Sequence, residues 1–392
     1  MSTDSNRFLI PKDPLLSWKF LAHRSRCVRL PGLAKTARRY LFFWGRNAIY
    51  YSLKALDILP GDRVLVPAYI CAAAVEPILG YGAEAVFYEI RSDCLPDLAD
   101  LEAKIDARTR AVLTVHYFGF PLGIQQFRAL CDRHRLFLIE DCAHVLQGEV
   151  DGRPLGTFGE ASVFSWRKFL PLNDGGELIL NRWRREPDVE WRKESALFTL
   201  KVVKNLVDQL VGPTSHPAVR IPHRCLQSSK NTFLHLLGGS GQKGQALSVD
   251  SNSARFDPEM VDLPITRLSR LILDRSAIGA IAAKRRENYL QLQAEISLIG
   301  GIKLLFPDLP AGVCPWVLPL FFEGIPNAHK PLREMGIPAV TWGGVRHPAI
   351  SRSEFPSSDF LYENLVFLPV HQDLQRKDLE QIVDAIKAVR QK

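Results

Sequence analysis

The chain has 392 residues, of which 46% are hydrophobic and 23% are charged. This composition excludes a disordered or fibrous protein, and the length allows two domains with large cores. The net charge of +8 at pH 7 is spread along the chain and interrupted by acidic residues. It therefore favours anionic ligands only weakly and predicts no nucleic-acid partner.

Two features of the sequence predict a soluble, cytoplasmic protein. The chain opens with polar and acidic residues and contains no long uncharged apolar run, so we expect neither a secretory signal nor a membrane span. The seven cysteines are an odd number without CxxC or Cys/His ligand spacing. They predict neither a disulfide framework nor a metal site, and a reducing cytoplasm fits them best.

Short apolar runs alternate with amphipathic helical stretches from about residue 45 to residue 180. This alternation is typical of a doubly wound, mainly parallel sheet. Several runs are apolar on both faces, as expected when helices cover both sides of a sheet. The predicted strands are 63–66, 85–88, 111–115, 136–139, 161–164 and 178–180, and the predicted helices include 48–56, 72–79 and 125–134.

The pattern changes after about residue 184. An amphipathic segment at 197–210 precedes a region rich in Ser, Gly, Gln and Asn at 228–253, which we interpret as part of a lid or insertion. A long helical pattern then covers 265–296, followed by a strand at 316–322, a helix ending near Gly336 and a final helix at 378–389. The predicted organisation is an N-terminal arm at 1–44, a large domain at 45–255 with a polar insertion near 184–255, and a smaller α+β domain at 256–392.

Four short motifs carry residues with useful chemistry. The first, at 45–48 (GRNA), precedes a helical stretch, and the free amides of a helix N-terminus can bind phosphate. The second, at 140–144 (EDCAH), follows a strand, at the end where open α/β sheets bind ligands. The third is FSWRK at 164–168. The fourth, NDGGE at 173–177, contains a glycine pair that predicts a tight turn packed close to the loop that carries Lys168.

Asp141 and Lys168 are the most informative residues in these motifs. An ionised Asp141 can keep a pyridinium nitrogen protonated, so that the ring accepts electrons from a neighbouring carbanion. Lys168 can form an imine with an aldehyde if burial near a cation such as Arg167 keeps its amine as the free base. Taken singly, Asp141 can simply cap a helix and Lys168 can lie in solvent. The two residues together indicate a site for pyridoxal 5'-phosphate (PLP).

In order and spacing, these segments resemble the DegT/StrS family of sugar aminotransferases. The resemblance covers residues 45–181 and is carried by the runs GRNAIYYSLKALDILPGDRVLVPAYICAAAVEPILGYGAEAVFYEI, TRAVLTVHYFGFP, IEDCAHVLQGEVDGRPLGTFGEASVFSWRK and NDGGELIL. CPWVLPLFF, LREMGIPAVTWGG and LVFLPVHQDLQRKDLEQI are also similar, with less specific motifs.

This resemblance implies an aspartate-aminotransferase-like α/β fold, PLP as cofactor and a homodimer with sites between the subunits. It also implies transfer of an amino group from glutamate to the keto carbon of a nucleotide-linked sugar, in the biosynthesis of surface-polysaccharide or secondary-metabolite sugars.

The resemblance further implies roles for individual residues. Lys168 matches the lysine that forms the Schiff base with PLP, and Asp141 matches the carboxylate at the pyridine nitrogen. His144 matches the residue near the ring hydroxyl. Arg46 and Asn47 stand where members usually carry a Gly-Thr pair that holds the phosphate.

Three positions depart from the family pattern. Ser165 matches a phosphate-binding serine, but the loop that follows it is about two residues shorter than in most members. Cys71 stands where many members carry an aromatic ring that stacks on the cofactor, so stacking would have to come from Tyr69 or His144, or be absent. The segment that members send into the partner's site is replaced by residues 262–267 (DLPITR).

Three functions are open at this point. The first is amino transfer to a keto sugar nucleotide, and the second is another PLP reaction, such as an elimination or an amino-acid transformation. The third is a non-catalytic protein of the same fold, which the presence of both Lys168 and Asp141 disfavours. His116, at the end of a predicted strand, is either a site residue or a structural histidine.

Overall fold

The computed structural model describes residues 8–15, 36–193 and 256–391. The strands are β1 (Arg38–Phe42), β2 (Arg63–Pro67), β3 (Glu84–Tyr88), β4 (Thr109–Val115), β5 (Phe137–Cys142), β6 (Glu149–Val150), β7 (Arg153–Pro154), β8 (Ala161–Ser165), β9 (Gly176–Leu180), β10 (Ile302–Leu304), β11 (Val317–Phe322) and β12 (Val366–Pro369). The α-helices are α1 (Gly45–Ala55), α2 (Ala72–Tyr81), α3 (Leu98–Ala103), α4 (Ile124–His134), α5 (Arg267–Arg275), α6 (Ile278–Ile296), α7 (His329–Glu334), α8 (Pro356–Asn364) and α9 (Arg376–Arg390). The segments predicted at 197–210 and 228–253 lie outside the described residues.

The strands form a seven-stranded sheet in the order β1-β9-β8-β5-β4-β2-β3 and a three-stranded sheet in the order β10-β11-β12. We call the regions built on these two sheets the larger and the smaller domain, and the predicted domain borders stay a prediction. Strands β3, β2, β4, β5 and β8 are parallel, whereas β9 runs antiparallel to both β8 and β1. Every residue of β8 and β9 is buried, as is typical of a sheet covered on both faces. The predicted α/β class with a mainly parallel sheet is confirmed.

All six strands predicted between residues 63 and 180 are present, but β1 was not predicted. It lies within the expected N-terminal arm and pairs with β9, with Arg38 opposite Leu180. Its sequence, RRYLF, is polar at one end and only its last residue is buried. A short edge strand of this kind carries little of the apolar alternation on which strand prediction depends.

The smaller domain is built on the antiparallel sheet β10-β11-β12, and α6 contacts both β11 and α9. The helix predicted over 265–296 is two helices, α5 and α6. They are separated because Ser276 and Ala277 leave the helical region of backbone conformation. The Ser276 hydroxyl also donates to the Ile272 carbonyl at 2.8 Å and stabilises the end of α5. The strand predicted at 316–322 and the final helix predicted at 378–389 are confirmed by β11 and α9.

The segment that ends at residue 193 lies against the segment that begins at residue 256, here called the returning chain. The Arg192 N–H donates to the Asp262 carbonyl at 3.1 Å, and the Arg192 guanidinium bonds to the Glu259 carbonyl. Residues 263–265 then pack on β1, where the N–H of Phe43 donates to the Leu263 carbonyl. These contacts attach the segment that precedes α5 to the edge of the central sheet.

A continuous hydrophobic cluster extends from the central sheet into the smaller domain. None of the helices in the described ranges is long and apolar enough to cross a membrane. The five described cysteines are free thiols, and four of them are buried.

Candidate active site

Lys168 ends a short 3₁₀ turn, Trp166–Lys168, that follows β8 directly. The neighbouring strand β9 holds this lysine loop in place. The Trp166 N–H donates to the Gly175 carbonyl at 2.9 Å, and the Trp166 indole N–H donates to Glu177 at 2.8 Å. The position of Lys168 is thus set by two rigid strands rather than by a free loop.

The glycine pair permits a close approach of backbones, as predicted, but the tightest contact differs from the expected one. Gly175 has a positive φ of 111°, which favours glycine. A Cβ on Gly176 would lie 2.2 Å from the backbone carbonyl carbon of Trp44. Gly176 therefore lets β9 meet the start of α1, while Gly175 makes the contact with the lysine loop.

The Lys168 amine lies in a partly closed site, because its side chain is only partly exposed and Nζ is 4.8 Å from the centre of the Trp316 ring. Burial lowers the pKa of Lys168 from 10.5 to about 8, assisted by the Arg167 cation and opposed by Asp141 and Cys71. Burial and the Arg167 cation thus act in the predicted direction. Far more of the free base exists near neutral pH than for an ordinary lysine.

Asp141 lies near the end of β5, which is the parallel neighbour of β8. Burial raises the pKa of this carboxyl group, and the Lys168 charge and the N–H of Ala143 act against that rise. The Ala143 N–H donates to Oδ1 at 2.9 Å. Asp141 and Lys168 therefore interact at the carboxyl ends of adjacent parallel strands, in the crevice where the motifs placed them.

His144 is buried and neutral. Burial, together with the Lys168 charge, lowers its pKa well below 6.5. The Phe118 N–H donates to Nδ1 at 3.2 Å, so Nε2 carries the ring hydrogen in the neutral tautomer. The imidazole stacks on Trp316, with ring centres 4.1 Å apart and planes at 16°.

Trp316 is a candidate site residue that the sequence did not indicate. It immediately precedes β11 in the smaller domain, is partly exposed, and contacts both His144 and the Lys168 amine. Its backbone N–H donates to the Phe118 carbonyl at 2.9 Å. Trp316 lies in the family-like segment CPWVLPLFF, but only the fold brings its ring to the strand ends of the larger domain.

The residues expected to hold a phosphate meet at the start of α1. A Cβ on Gly45 would lie 3.9 Å from the Ser165 Cβ, so Ser165 faces the helix N-terminus. Arg46 is largely buried, with its guanidinium 4.6 Å from the centre of the Trp44 ring. Asn47 uses its side-chain amide differently, since Nδ2 donates to the Met260 carbonyl at 2.8 Å. The side chain of Asn47 thus joins α1 to the returning chain.

Cys71 precedes α2 and is partly exposed, close enough to Lys168 to affect its pKa. Tyr69, the alternative stacking residue, is fully buried. Its ring packs 4.9 Å from that of Trp342, and its hydroxyl has no partner among the described residues. Of these aromatic residues, Trp316 is the one with a direct contact to the Lys168 amine.

His116 belongs to a buried network behind the site. Its Nε2 lies 2.9 Å from Glu140, which also accepts the N–H groups of Gly156 at 2.8 Å and Gly159 at 2.6 Å. His116, Glu140 and Cys142 could offer three ligand atoms to a metal ion. The carboxylate oxygens of Glu140 are already occupied by these donors, and burial raises the pKa of the Cys142 thiol well above 9.0. The network favours the structural alternative for His116.

Residues 44–184 match the model of the DegT/DnrJ/EryC1/StrS aminotransferase family. The predicted family resemblance is confirmed. Within this family segment lie Asp141, His144, Ser165 and Lys168, together with the strands β5 and β8 that position them.

Two relatives each match about a third of the chain. The GDP-perosamine synthase of Vibrio cholerae is 40% identical over 140 residues, which are 35% of this chain and 38% of the relative. The UDP-N-acetyl-3-dehydro-alpha-D-glucosamine 3-aminotransferase of Acidithiobacillus ferrooxidans is 34% identical over 139 residues, covering 34% of this chain and 38% of the relative. The matches thus span well under half the length of these relatives.

Structural similarity extends over nearly the whole chain. A sugar-aminotransferase-like structure from Streptococcus pneumoniae, solved in a PLP form and a PMP form, covers 97% of this chain with a TM-score of 0.65 and 17% identity. The match includes 98% of that protein. At this identity the likeness establishes the fold, and the predicted fold of PLP-dependent sugar aminotransferases is confirmed.

Proposed function

We propose that this protein is a PLP-dependent aminotransferase that delivers an amino group, with glutamate as donor, to the keto carbon of a nucleotide-linked sugar. The observation that carries the proposal is the pair Lys168 and Asp141. One supplies an amine with a pKa of about 8, the other a buried carboxyl group, and both lie at the ends of adjacent parallel strands. The names of the two relatives, which specify amino-sugar products or substrates, support the same reaction class.

The donor set fits PLP group by group. PLP has an aldehyde, a ring nitrogen, a ring hydroxyl and a phosphate, and the residues suited to these groups are Lys168, Asp141, His144, and Ser165 with Arg46. Ser165 and the N-terminal amides of α1 suit an anion because the partial positive charge of a helix lies at that end. When bound, PLP supplies the electron sink that stabilises a carbanion at the carbon bearing the amino group.

Lys168 would hold the cofactor through Nζ and, once displaced by the amino donor, would move a proton at the substrate carbon. Its lowered pKa suits both tasks, because each requires the neutral amine near physiological pH. Asp141 would hold a proton at the ring nitrogen. Its burial excludes water, so this charge interaction is stronger than it would be in solvent.

His144 and Trp316 would orient the cofactor ring. The hydrogen on Nε2 of His144 can be donated to an oxygen, since Nδ1 is already occupied by the Phe118 N–H. The stacked pair of rings also excludes water from one side of the Lys168 amine. Cys71 has no ring to stack on the cofactor, and Trp316 is the candidate to supply that aromatic contact instead.

Borohydride reduction of the protein with bound PLP, followed by peptide mapping, tests the cofactor link. We expect the pyridoxyl adduct on Lys168 and its loss in Lys168→Ala, with Lys284→Ala as an exposed control. An adduct on another lysine would overturn the assignment.

The reaction is tested separately by adding glutamate and then keto sugars linked to GDP or UDP. Loss of the visible absorption band with glutamate, and its return with the keto sugar, supports amino transfer. Release of ammonia or another amino-acid product instead would indicate a different PLP reaction.

We also propose that the active form is a homodimer with sites between the subunits. Leu263 and Ile265 of the 262–267 stretch are buried in their own chain, whereas Arg267 is exposed and able to face a partner. Mixing Lys168→Ala with Arg267→Ala should restore activity if each chain completes the other's site. Full activity of a monomer in sedimentation experiments would refute shared sites.

A further inference from the structure

Arg285, on α6 of the smaller domain, is a buried cation that contacts the lysine loop of the larger domain. Only 1% of its surface is exposed. Nη1 donates to the Trp316 carbonyl at 3.0 Å, and Nη2 donates to the Lys168 carbonyl at 3.4 Å. A single guanidinium thus bonds to the backbones of two residues whose side chains touch each other, with the Lys168 amine 4.8 Å from the Trp316 ring centre.

Gln372, in the loop after β12, extends this contact. Its Oε1 accepts from Arg285 Nε at 3.0 Å, and its Nε2 donates to the Phe169 carbonyl at 3.0 Å. The Phe169 ring lies under the guanidinium, 4.8 Å from its carbon to the ring centre. Arg285 and Gln372 therefore hold two consecutive carbonyls, those of Lys168 and Phe169.

Among the described residues, the three hydrogen-bond acceptors of Arg285 are neutral oxygens. Burial lowers the pKa of Arg285 to about 10, and Cys314, Asp373 and Asp13 only partly offset this effect. Burial of a charged group is costly and is weak evidence for a purely stabilising role. The planar fork of arginine does suit the task of fixing several acceptors in one geometry, which lysine cannot do.

We propose that Arg285 is a positioning residue that fixes Lys168 against Trp316 and so couples the smaller domain to the reactive amine. The importance of this coupling for turnover rests on the proposed function, but the coupling itself does not. Without the fork, the peptide after Lys168 is free to shift, and the amine moves away from the ring into water. A better solvated amine has a higher pKa, and less of it is the reactive free base at pH 8.

The test is the rate at which trinitrobenzenesulfonate labels Lys168 in the full-length protein without added cofactor, followed by peptide mass spectrometry from pH 7 to 10.5. For the wild type we expect half-maximal labelling near pH 8. In Arg285→Lys, which keeps the charge and loses the fork, the midpoint should rise by about one unit, so that labelling at pH 8 falls roughly fivefold. Gln372→Leu should shift the midpoint in the same direction by a smaller amount.

Arg286→Lys is the matched control. Arg286 is the adjacent residue and also bonds backbone carbonyls, those of Pro310 and Val313, which lie outside the lysine loop. Its variant should lose comparable thermal stability and leave the Lys168 midpoint unchanged. An unchanged midpoint in both Arg285→Lys and Gln372→Leu would overturn the proposal, and so would an equal shift in Arg286→Lys.

Because this labelling needs no cofactor, its outcome is independent of whether PLP binds. A failed borohydride experiment would reject the proposed function and leave the labelling result standing. With PLP present, the pH dependence of the visible band provides a second readout, and it should shift in Arg285→Lys in the same direction.

Discussion

The two domains contribute to the site in different ways. The larger domain supplies the side chains proposed to hold or move protons, Lys168 and Asp141, and the His144 imidazole proposed to orient the cofactor ring, all at or after the ends of neighbouring strands. The smaller domain supplies a ring face, that of Trp316, and a backbone anchor, Arg285. The difference indicates that short motifs at strand ends carry the chemistry, while the second domain sets the position and solvation of the reacting amine. Substitutions on the two sides should therefore change different measurable quantities.

The largest effect is expected from Lys168→Ala. Removal of the only proposed group that both holds the cofactor and moves the proton should lower turnover by about 10⁴-fold or more. The fold should remain, since the side chain is partly exposed and its charged form is disfavoured by burial. Steady-state kinetics and thermal unfolding measure both quantities. Activity above one percent of wild type would contradict the assigned role.

Asp141→Asn comes next, with an expected loss of about 10²–10⁴-fold in turnover. It also makes a prediction that requires no turnover. The Asp141 charge raises the pKa of Lys168, so its removal should move the Lys168 labelling midpoint below pH 8. Asp93→Asn, at an exposed ion pair with Arg91, serves as control. A midpoint that rises would show that the two groups do not interact as described.

On the smaller-domain side, Trp316→Leu keeps an apolar side chain and removes the aromatic face. We expect the affinity for PLP to fall about fivefold, because a cation–π or ring contact is worth about 1 kcal/mol, and turnover at saturating PLP to change less. Titration of the visible band measures the affinity, with Trp183→Leu as control. A loss of turnover as large as that of Lys168→Ala would contradict the division between a larger domain that carries the chemistry and a smaller domain that positions the amine.

The smallest effect concerns stability and pH. The folded pKa of Lys168, about 8, lies below the ordinary value of 10.5. The unfolded chain therefore binds more protons between these values, and the contribution of Lys168 to stability rises with pH across that window. Lys168→Met should be more stable than wild type at pH 7, and this difference in stability should become smaller by pH 10. Denaturant unfolding at pH 7 and pH 10 measures the difference in stability between the variant and the wild type. A larger difference at pH 10 than at pH 7 would contradict the prediction.

Much of the larger domain's contribution was predictable from sequence because its signals are local. Asp141 and Lys168 each follow a buried apolar run, so the positions of their strands already bring them to one edge of the sheet. The direction of β9 was less accessible. An apolar run such as GELIL fits a parallel strand and an antiparallel strand equally well. Only the short loop after Lys168 indicates that β9 is antiparallel to β8.

The smaller domain's contribution was not predictable for a different reason. Trp316 resembles any core aromatic, and Arg285 lies in a helix among other charged residues, with nothing in the sequence to indicate burial. Their roles depend on contacts with residues more than a hundred positions away, and those contacts exist only after both domains have folded. Similarly, the break between α5 and α6 falls at Ser276 and Ala277. Neither residue is Gly or Pro, so the hydrophobic periodicity of the segment does not reveal the break.

The bonds from Arg192 to Asp262 and Glu259 also have a consequence for how this chain can be rebuilt. Since residue 192 lies against residues 259 and 262, an engineered linker of about eight residues could join residue 193 to residue 256 without displacing either one. Such a linker has a small entropic cost of closure, since each halving of a flexible linker lowers that cost by about 0.6 kcal/mol. The same junction is a natural point for exchanging segments between relatives, with the central sheet and the lysine loop left unchanged.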